Sequence, residues 1–228
     1  MQIFLDSANI PEIEKWLNYS LIDGVTTNPS IMYRDGVPDL QRGVRKLALL
    51  IAPLPLSVEV VSNDPEEMYL QGREFASWES NIVIKIPQVN TDGMPCYGVM
   101  HRLEKEGIKV NATVALSLSQ VILSAKAGAS YISIFAGRIS DEGGNAAEVI
   151  SNAVAWLERW QYKSRLIVGS IRSVGDVLQA VLAGAHIVTI PPQFMAKMAD
   201  HKCGREMVRQ FLDDAQKAAG GMHRGPGL

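Results

Sequence analysis

The chain has 228 residues, 47% of them hydrophobic, and its 22 lysines and arginines nearly balance 24 acids for a formal net charge of −2. That balance leaves no basic footprint for nucleic acid and no polybasic patch for an anionic membrane. Two cysteines, Cys96 and Cys203, cannot build a disulfide framework, no apolar run approaches the ~18 residues of a spanning helix, and the start Ile3-Phe4-Leu5-Asp6 lacks the charged and apolar regions of a leader, so a soluble, cytoplasmic protein is the expectation.

Short β-rich runs alternate with amphipathic stretches along the chain. Strands are expected near 2–6, 22–27, 56–61, 82–87, 108–114, 130–135, 165–170 and 186–190. Helical patterns fall near 10–19, 39–51, 65–77, 98–106, 117–127, 145–160, 173–183 and 193–199, with a final helix near 204–218. Asp64-Pro65-Glu66-Glu67 sets a cap, a first-turn proline and acids in order. Gly107, Gly128 and Gly184 stand where helices should end. No Pro/Gly/Ser-rich linker divides the chain. The expectation is α/β: a single (β/α)8 TIM barrel over residues 1–218 with its C-terminal helix, then a Gly-rich tail over 219–228. A doubly wound sheet would need a phosphate fingerprint after the first strand, and the chain has neither G-x-G-x-x-G nor a Walker A motif.

Side chains alternate across a strand, so the parity of each polar residue is informative. In Ile82-Val83-Ile84-Lys85-Ile86-Pro87, the residues on the helix side should be apolar, which turns Lys85 inward. Phe4 and Asp6 share a face, Glu59 lies between Val58 and Val60, and Asn111 pairs in parity with Thr113. Ser133 shares a face with Tyr131 and Phe135, while Ser170 and Arg172 follow Val168. Asn28 stands just after the second strand. Polar groups thus come from the inner face of at least six strands, mostly at their carboxyl ends, where barrel enzymes build their sites.

Lys85 is the most informative of these. Burying an unpaired ammonium is costly, and a buried amine that becomes neutral is a nucleophile for carbonyls. A structural pairing with a buried carboxylate is the competing reading of that position alone. With Asp6 and Glu59 nearby, the parts for Schiff-base catalysis are present: an amine, an electron-accepting iminium, and a carboxylate to carry protons. His101, His186, His201 and His223 show no ligand spacing, so no metal and no other cofactor is expected. No G-x-S-x-G elbow marks a serine hydrolase. Arg138 and Arg172 follow the sixth and seventh strands, where barrels bind phosphate, and as a pair they favour phosphate over surface ion pairing.

Together these residues resemble the transaldolase family, in particular the small-subunit branch that also holds fructose-6-phosphate aldolase. The matching pieces are Phe4-Leu5-Asp6-Ser7-Ala8-Asn9, Gly24-Val25-Thr26-Thr27-Asn28-Pro29-Ser30, Ser57-Val58-Glu59-Val60, Val83-Ile84-Lys85-Ile86-Pro87, Val110-Asn111-Ala112-Thr113, Gly137-Arg138-Ile139 and Gly169-Ser170-Ile171-Arg172. The resemblance implies that Lys85 forms the Schiff base and Asp6 is the acid/base at the hydroxyl next to the cleaved bond. It implies that Glu59 and Thr113 hold a catalytic water, and that Asn28, Asn111 and Ser133 bind hydroxyls. Arg138, Ser170 and Arg172 would bind phosphate. The implied substrates are phosphosugars, with fructose 6-phosphate or sedoheptulose 7-phosphate as donor, in a homo-oligomer of five or ten copies.

Two positions bear on subtype. The aldolase branch usually has glutamine where this chain has Glu59 and tyrosine where it has Phe135, so the pair resembles transaldolase proper. The chain departs from the family pattern at Ile134, Ala136 and Leu116, and in a longer segment from Gln88 to Cys96 directly after the lysine strand. A transaldolase is the first expectation and an aldolase the second. A non-catalytic sugar-phosphate-binding barrel is a distant third, since the lysine, both acids and the asparagine pair are all retained.

Overall fold

The structure, a computed structural model, describes residues 1–222. Eight parallel strands close into a barrel in chain order. They are β1 (Gln2–Asp6), β2 (Gly24–Thr26), β3 (Leu56–Glu59), β4 (Ile82–Pro87), β5 (Val110–Ala115), β6 (Tyr131–Phe135), β7 (Arg165–Gly169) and β8 (Ile187–Ile190). Each was expected from the sequence to within a few residues. Between them lie α1 (Ile10–Asn18), α2 (Pro29–Arg34), α3 (Leu40–Ile51), α4 (Pro65–Ala76), α5 (Tyr97–Lys105), α6 (Leu118–Lys126), α7 (Ala136–Asp141), α8 (Ala146–Arg159) and α9 (Val174–Leu182).

The helix ends follow the sequence signals. Asp64 accepts from the backbone N–H groups of Glu66 and Glu67, and Ser117 and Ser173 cap α6 and α9 in the same way. Gly107, Gly128 and Gly184 take positive φ, the left-handed step that ends a helix. Two short helices were not expected, α2 and α7. Neither is long enough to display a hydrophobic period, although Asn28-Pro29 is a cap followed by a first-turn proline.

Strand register sorts the side chains. Ile84, Ala112, Ile132, Ile134, Leu166 and Val168 are buried on the helix side. Each such large apolar side chain contributes ~1.5–3 kcal/mol relative to exposure. The opposite face fills the barrel. At its amino-terminal end Phe4, Ile167 and Ile187 form a buried cluster with Tyr131 against it. A Cβ on Gly24 would lie 2.8 Å from the Phe4 ring, so glycine at that position is what lets the ring fit.

The chain divides into two compact units, Met1–Pro192 and Gln193–Leu228. The first is the barrel. The second holds most of α10 (Pro192–Ala199) and α11 (Lys202–Met222). α11 begins before and runs past the expected 204–218, carrying Gly220 and Gly221. Ala218 and Ala219 are strong helix formers, and a glycine costs a helix only ~1 kcal/mol. Of the tail expected over 219–228, residues 223–228 lie outside the described residues. No described helix is long and apolar enough to cross a membrane.

Candidate active site

A cavity of about 510 Å³ opens at the carboxyl ends of the strands. Its floor is the last inward residue of nearly every strand. β3 and β4 pair Glu59 with Lys85 in register, and β4 and β5 pair Lys85 with Asn111. The parallel ladder therefore puts lysine, glutamate and asparagine side by side on the inner face.

Lys85 is buried, and its Nζ donates to the Thr27 carbonyl at 2.8 Å and lies 2.9 Å from Glu59 Oε2. The buried amine is thus held by two oxygens and faces the cavity. Glu59, at the rim of β3, is partly exposed and reaches the same space. This is the pairing with a carboxylate that was weighed against catalysis. The two readings share that contact, and what separates them is that both partners line an open cavity.

Asp6 ends β1 and accepts from Thr26 Oγ1 at 2.7 Å. Burial pushes its carboxyl above the ordinary range; the Thr26 hydrogen bond and the charges of Lys85 and Arg34 pull the other way, while the negative Asp35 adds to the rise. Asp35 itself is drawn low. Burial opposes this, but hydrogen bonds from Arg34, the Ala8 N–H and Ser7 outweigh it.

Asn111 is fully buried beneath the cavity floor. Its Nδ2 donates to Ser57 Oγ at 3.3 Å, and its Oδ1 accepts from Ser133 Oγ at 2.7 Å. Ser133 and Phe135 line the cavity, while Asn111 does not. Asn28 also lines it, but its Oδ1 caps α2 by accepting from Ile31 N at 2.8 Å, leaving Nδ2 to donate elsewhere. Thr113 is fully buried, and its Oγ1 has no hydrogen-bond partner. The strand shifts register across it, between Ala112 and Ala115, and Val114 takes φ +59. That irregularity places Val114 rather than Thr113 on the cavity wall.

The segment after the lysine strand folds into a small antiparallel turn, bridged at Val89 and Pro95. Asn90 Oδ1 accepts from the N–H groups of Asp92 and Met94 and holds the turn. Gln88, at its base, is buried and donates to the Thr113 carbonyl at 3.2 Å while accepting from Ser124.

Two expectations at the anion end need correction. Ser170 was expected inward through parity with Val168, yet Val168 pairs with Ile134 on the helix side. Ser170 reaches the cavity because its own backbone turns, with φ +58 just past the strand. Arg172 was expected beside Arg138 facing the cavity. Arg138 does line it, but Arg172 lies outside the cavity wall, gripping Asp141 with both guanidinium nitrogens, one contact at 2.6 Å. Arg138 also approaches Asp141, at 3.6 Å. The Arg172 fork holds the Asp141 carboxyl below its ordinary range. Gly137 permits this crowding, since a Cβ there would meet the Ser170 carbonyl at 2.4 Å.

Sequence reasoning missed Thr189, which lines the cavity from β8 and contacts Thr26 Oγ1. Its signal was available: Ile187 and Thr189 alternate inward as Phe4 and Asp6 do, and a polar residue ends that face. Thr26 and Ser57 were quoted only within motifs, and both join the inner network. His101 and His186 lie away from the cavity. His186 Nδ1 accepts from Leu166 N, and burial lowers its pKa. Among the described residues no group of three or more His, Cys, Asp or Glu could hold a metal.

Fold and site define a parallel α/β barrel with a lysine and two carboxylates at its carboxyl mouth. Over residues 3–223 the chain matches the family described as transaldolase/fructose-6-phosphate aldolase. It is 39% identical over 214 residues to a probable transaldolase of Desulforudis audaxviator, covering 94% of this chain and 97% of that protein. It is 38% identical over 220 residues to one of Clostridium botulinum strain Langeland, covering 96% and 99%. A probable transaldolase of Dehalococcoides mccartyi is 35% identical over 214 residues, covering 94% and 97%. The chain belongs to the transaldolase/fructose-6-phosphate aldolase family.

Proposed function

We propose that the protein is a Schiff-base transaldolase that moves a dihydroxyacetone unit between phosphosugars. The observation that carries this is Lys85 Nζ, buried at the cavity floor 2.9 Å from Glu59, with Asp6 on the same cavity. Lys85 adds to the ketose carbonyl, and loss of water gives an iminium. Asp6 takes the proton from the C4 hydroxyl, the C3–C4 bond breaks, and its electron pair passes into the iminium to give an enamine. The aldose leaves. An acceptor aldehyde enters, the enamine carbon attacks it, and Asp6 returns the proton to the new hydroxyl. Water then hydrolyses the imine and frees Lys85. A carboxyl raised by burial suits this exchange, because it takes up and returns a proton nearer neutral pH.

Glu59, 2.9 Å from Lys85 Nζ, takes the proton that Lys85 must lose before it attacks. Glu59 holds the water of the dehydration and hydrolysis steps, and the buried Thr113 hydroxyl, which has no partner, joins it once the wall at Val114 opens. Nδ2 of Asn28 and the Ser133 hydroxyl, oriented by Asn111, take the substrate hydroxyls. Arg138 and Ser170 take the phosphate, and Arg172 joins them on leaving Asp141. Phe135 lines the cavity where the aldolase branch usually has tyrosine, which favours transfer over simple aldol cleavage. Incubation with fructose 6-phosphate followed by borohydride should leave a reduced adduct on Lys85 in the mass spectrum. An adduct on another lysine, or turnover without any adduct, overturns the reading.

The functional unit is a homo-oligomer. α11 carries Met207, Val208, Phe211 and Leu212 exposed, a stripe that a second copy would cover. Light scattering at working concentration tests this; a monomer mass rejects it.

A further inference from the structure

Barrel closure brings a residue from the last strand to the first. β8 pairs with β1, aligning Thr189 with Phe4, and β1 pairs with β2, aligning Asp6 with Thr26. All four side chains point inward. Thr26 Oγ1 lies 2.7 Å from Asp6 Oδ1 and 2.5 Å from Thr189 Oγ1. Thr26 and Thr189 are both buried.

The direction of these bonds is forced by proton count. A threonine hydroxyl has one proton. When Asp6 is ionised its oxygen can only accept, so Thr26 gives its proton to Asp6. The proton between the two threonines must then come from Thr189. Removing that donor leaves Thr26 weakly held and weakens its donation to the carboxylate, because hydrogen bonds in a chain strengthen one another.

We infer that Thr189 is a positioning residue: through Thr26 it holds the carboxylate form of Asp6 in place and sets the pH at which Asp6 takes up its proton. This rests on the acid/base role given to Asp6 above. The other charged groups facing Asp6 are Lys85 from β4 and Arg34 and Asp35 at the end of α2. None of them is hydrogen-bonded to Thr189, whose hydroxyl meets Thr26 alone, so removing that hydroxyl breaks none of their bonds.

The test compares pH profiles of kcat/KM for the full-length enzyme and for Thr189→Val, Thr189→Ser and Asp6→Asn. Thr189→Val keeps the shape and removes the donor, so the acid limb should move up by about half a pH unit, the scale of part of one neutral hydrogen bond. Thr189→Ser should return the limb to the wild-type position. A rate lowered equally at every pH, with the limb unmoved, means that Thr189 only packs and overturns the proposal. Asp6→Asn separates the two claims. If it abolishes turnover while Thr189→Val leaves the limb unmoved, the acid/base reading stands and the relay falls. If it retains turnover and the limb, both fall. Should Thr189→Val not fold, Thr189→Ala carries the same expectation. Carbon-13 NMR titration of the Asp6 carboxyl in either variant reads the shift without turnover, and an unchanged midpoint overturns the proposal.

Discussion

The two ends of the barrel interior are made by the same strands with the same alternation, and they differ in nearly everything else. At the amino-terminal end Phe4, Ile167 and Ile187 fill the space against Tyr131. Arg165, next to Tyr131 on the neighbouring strand, donates from Nη1 to Gln2. At the carboxyl end the inward positions carry Asp6, Glu59 and Lys85 around an open cavity, with an unpartnered hydroxyl on Thr113 and left-handed backbone at Val114 and Ser170. One end is packed as a stabilising core would be. The other departs from what stability alone would choose, and such departures cluster at functional sites.

Mutations at the two ends should therefore separate stability from chemistry. The largest effect on chemistry is expected at Lys85. Lys85→Ala should reduce transfer by roughly 10³-fold or more, the range seen when a nucleophile is removed, and abolish the borohydride adduct. If the adduct vanishes while turnover persists, the cavity works without the lysine and the contrast between the ends loses its basis.

Asp6→Asn should lower kcat by ~10²–10⁴-fold, the range of a general acid/base. Its effect on stability has the opposite sign. Because the folded carboxyl is raised above its ordinary value of 3.8, the native state binds the proton more readily than the unfolded chain. Asp6 therefore costs no stability below that ordinary value and costs increasingly more as the pH rises through the folded value. Relative to wild type, Asp6→Asn should gain thermal stability between pH 4 and pH 8. A melting-temperature difference that is flat across this range would show that burial at the mouth carries no such cost.

Phe4→Ala tests the other end. Emptying a buried aromatic typically costs ~3–5 kcal/mol. Denaturant unfolding should show that loss, while kcat of the folded fraction stays near wild type. A fall in kcat comparable to that of Asp6→Asn would mean that the two ends are coupled.

How much of this was legible beforehand follows the same division. Strand positions and the parity of Asp6, Lys85, Asn111 and Ser133 could be read, because period-two alternation with an apolar helix side is a strong local signal. Ser170 was placed inward by the wrong route, since its left-handed turn leaves no mark in hydropathy. Arg172 was set facing the cavity because a sequence does not reveal that Asp141, at the end of α7, takes its guanidinium. Thr189 went unnoticed because its partner Thr26 is 163 positions away and only barrel closure joins them. α2 and α7 were lost because six residues are too few for a helical period.

The arginines sharpen the comparison within the mouth. Arg138→Ala should lower kcat/KM for phosphosugars by roughly ten- to a hundredfold, the equivalent of one charge-assisted hydrogen bond of ~1.5–3 kcal/mol. Arg172→Ala should cost less, because Arg172 lies outside the cavity wall and spends its fork on Asp141. Free dihydroxyacetone, which has no phosphate, should be nearly indifferent to either. Equal losses on both substrates would make both arginines structural.

The smallest expected effect is at Phe135, and it concerns which reaction the mouth favours. Phe135 shares the inward parity of Ser133, ends β6, and lines the cavity. Its ring cannot give a proton to the enamine that the proposed mechanism leaves on Lys85 once the aldose departs. A tyrosine hydroxyl at the same site could, by holding a water or donating directly, and the dihydroxyacetone would then leave without an acceptor. Wild type should therefore transfer efficiently from fructose 6-phosphate to erythrose 4-phosphate and release little free dihydroxyacetone. Phe135→Tyr should raise aldol cleavage relative to transfer several-fold, a change of ~1 kcal/mol in partition, and Glu59→Gln should add to it. The segment from Gln88 to Cys96 bears on the acceptor rather than on this partition. It rises from the end of the lysine strand, and buried Gln88 ties it to the backbone of Thr113. An acceptor other than erythrose 4-phosphate would change the rate of transfer and leave the low background release intact. Release of dihydroxyacetone by wild type as fast without acceptor as transfer with one would make the chain an aldolase, and would assign the Glu59 and Phe135 pair no part in the choice.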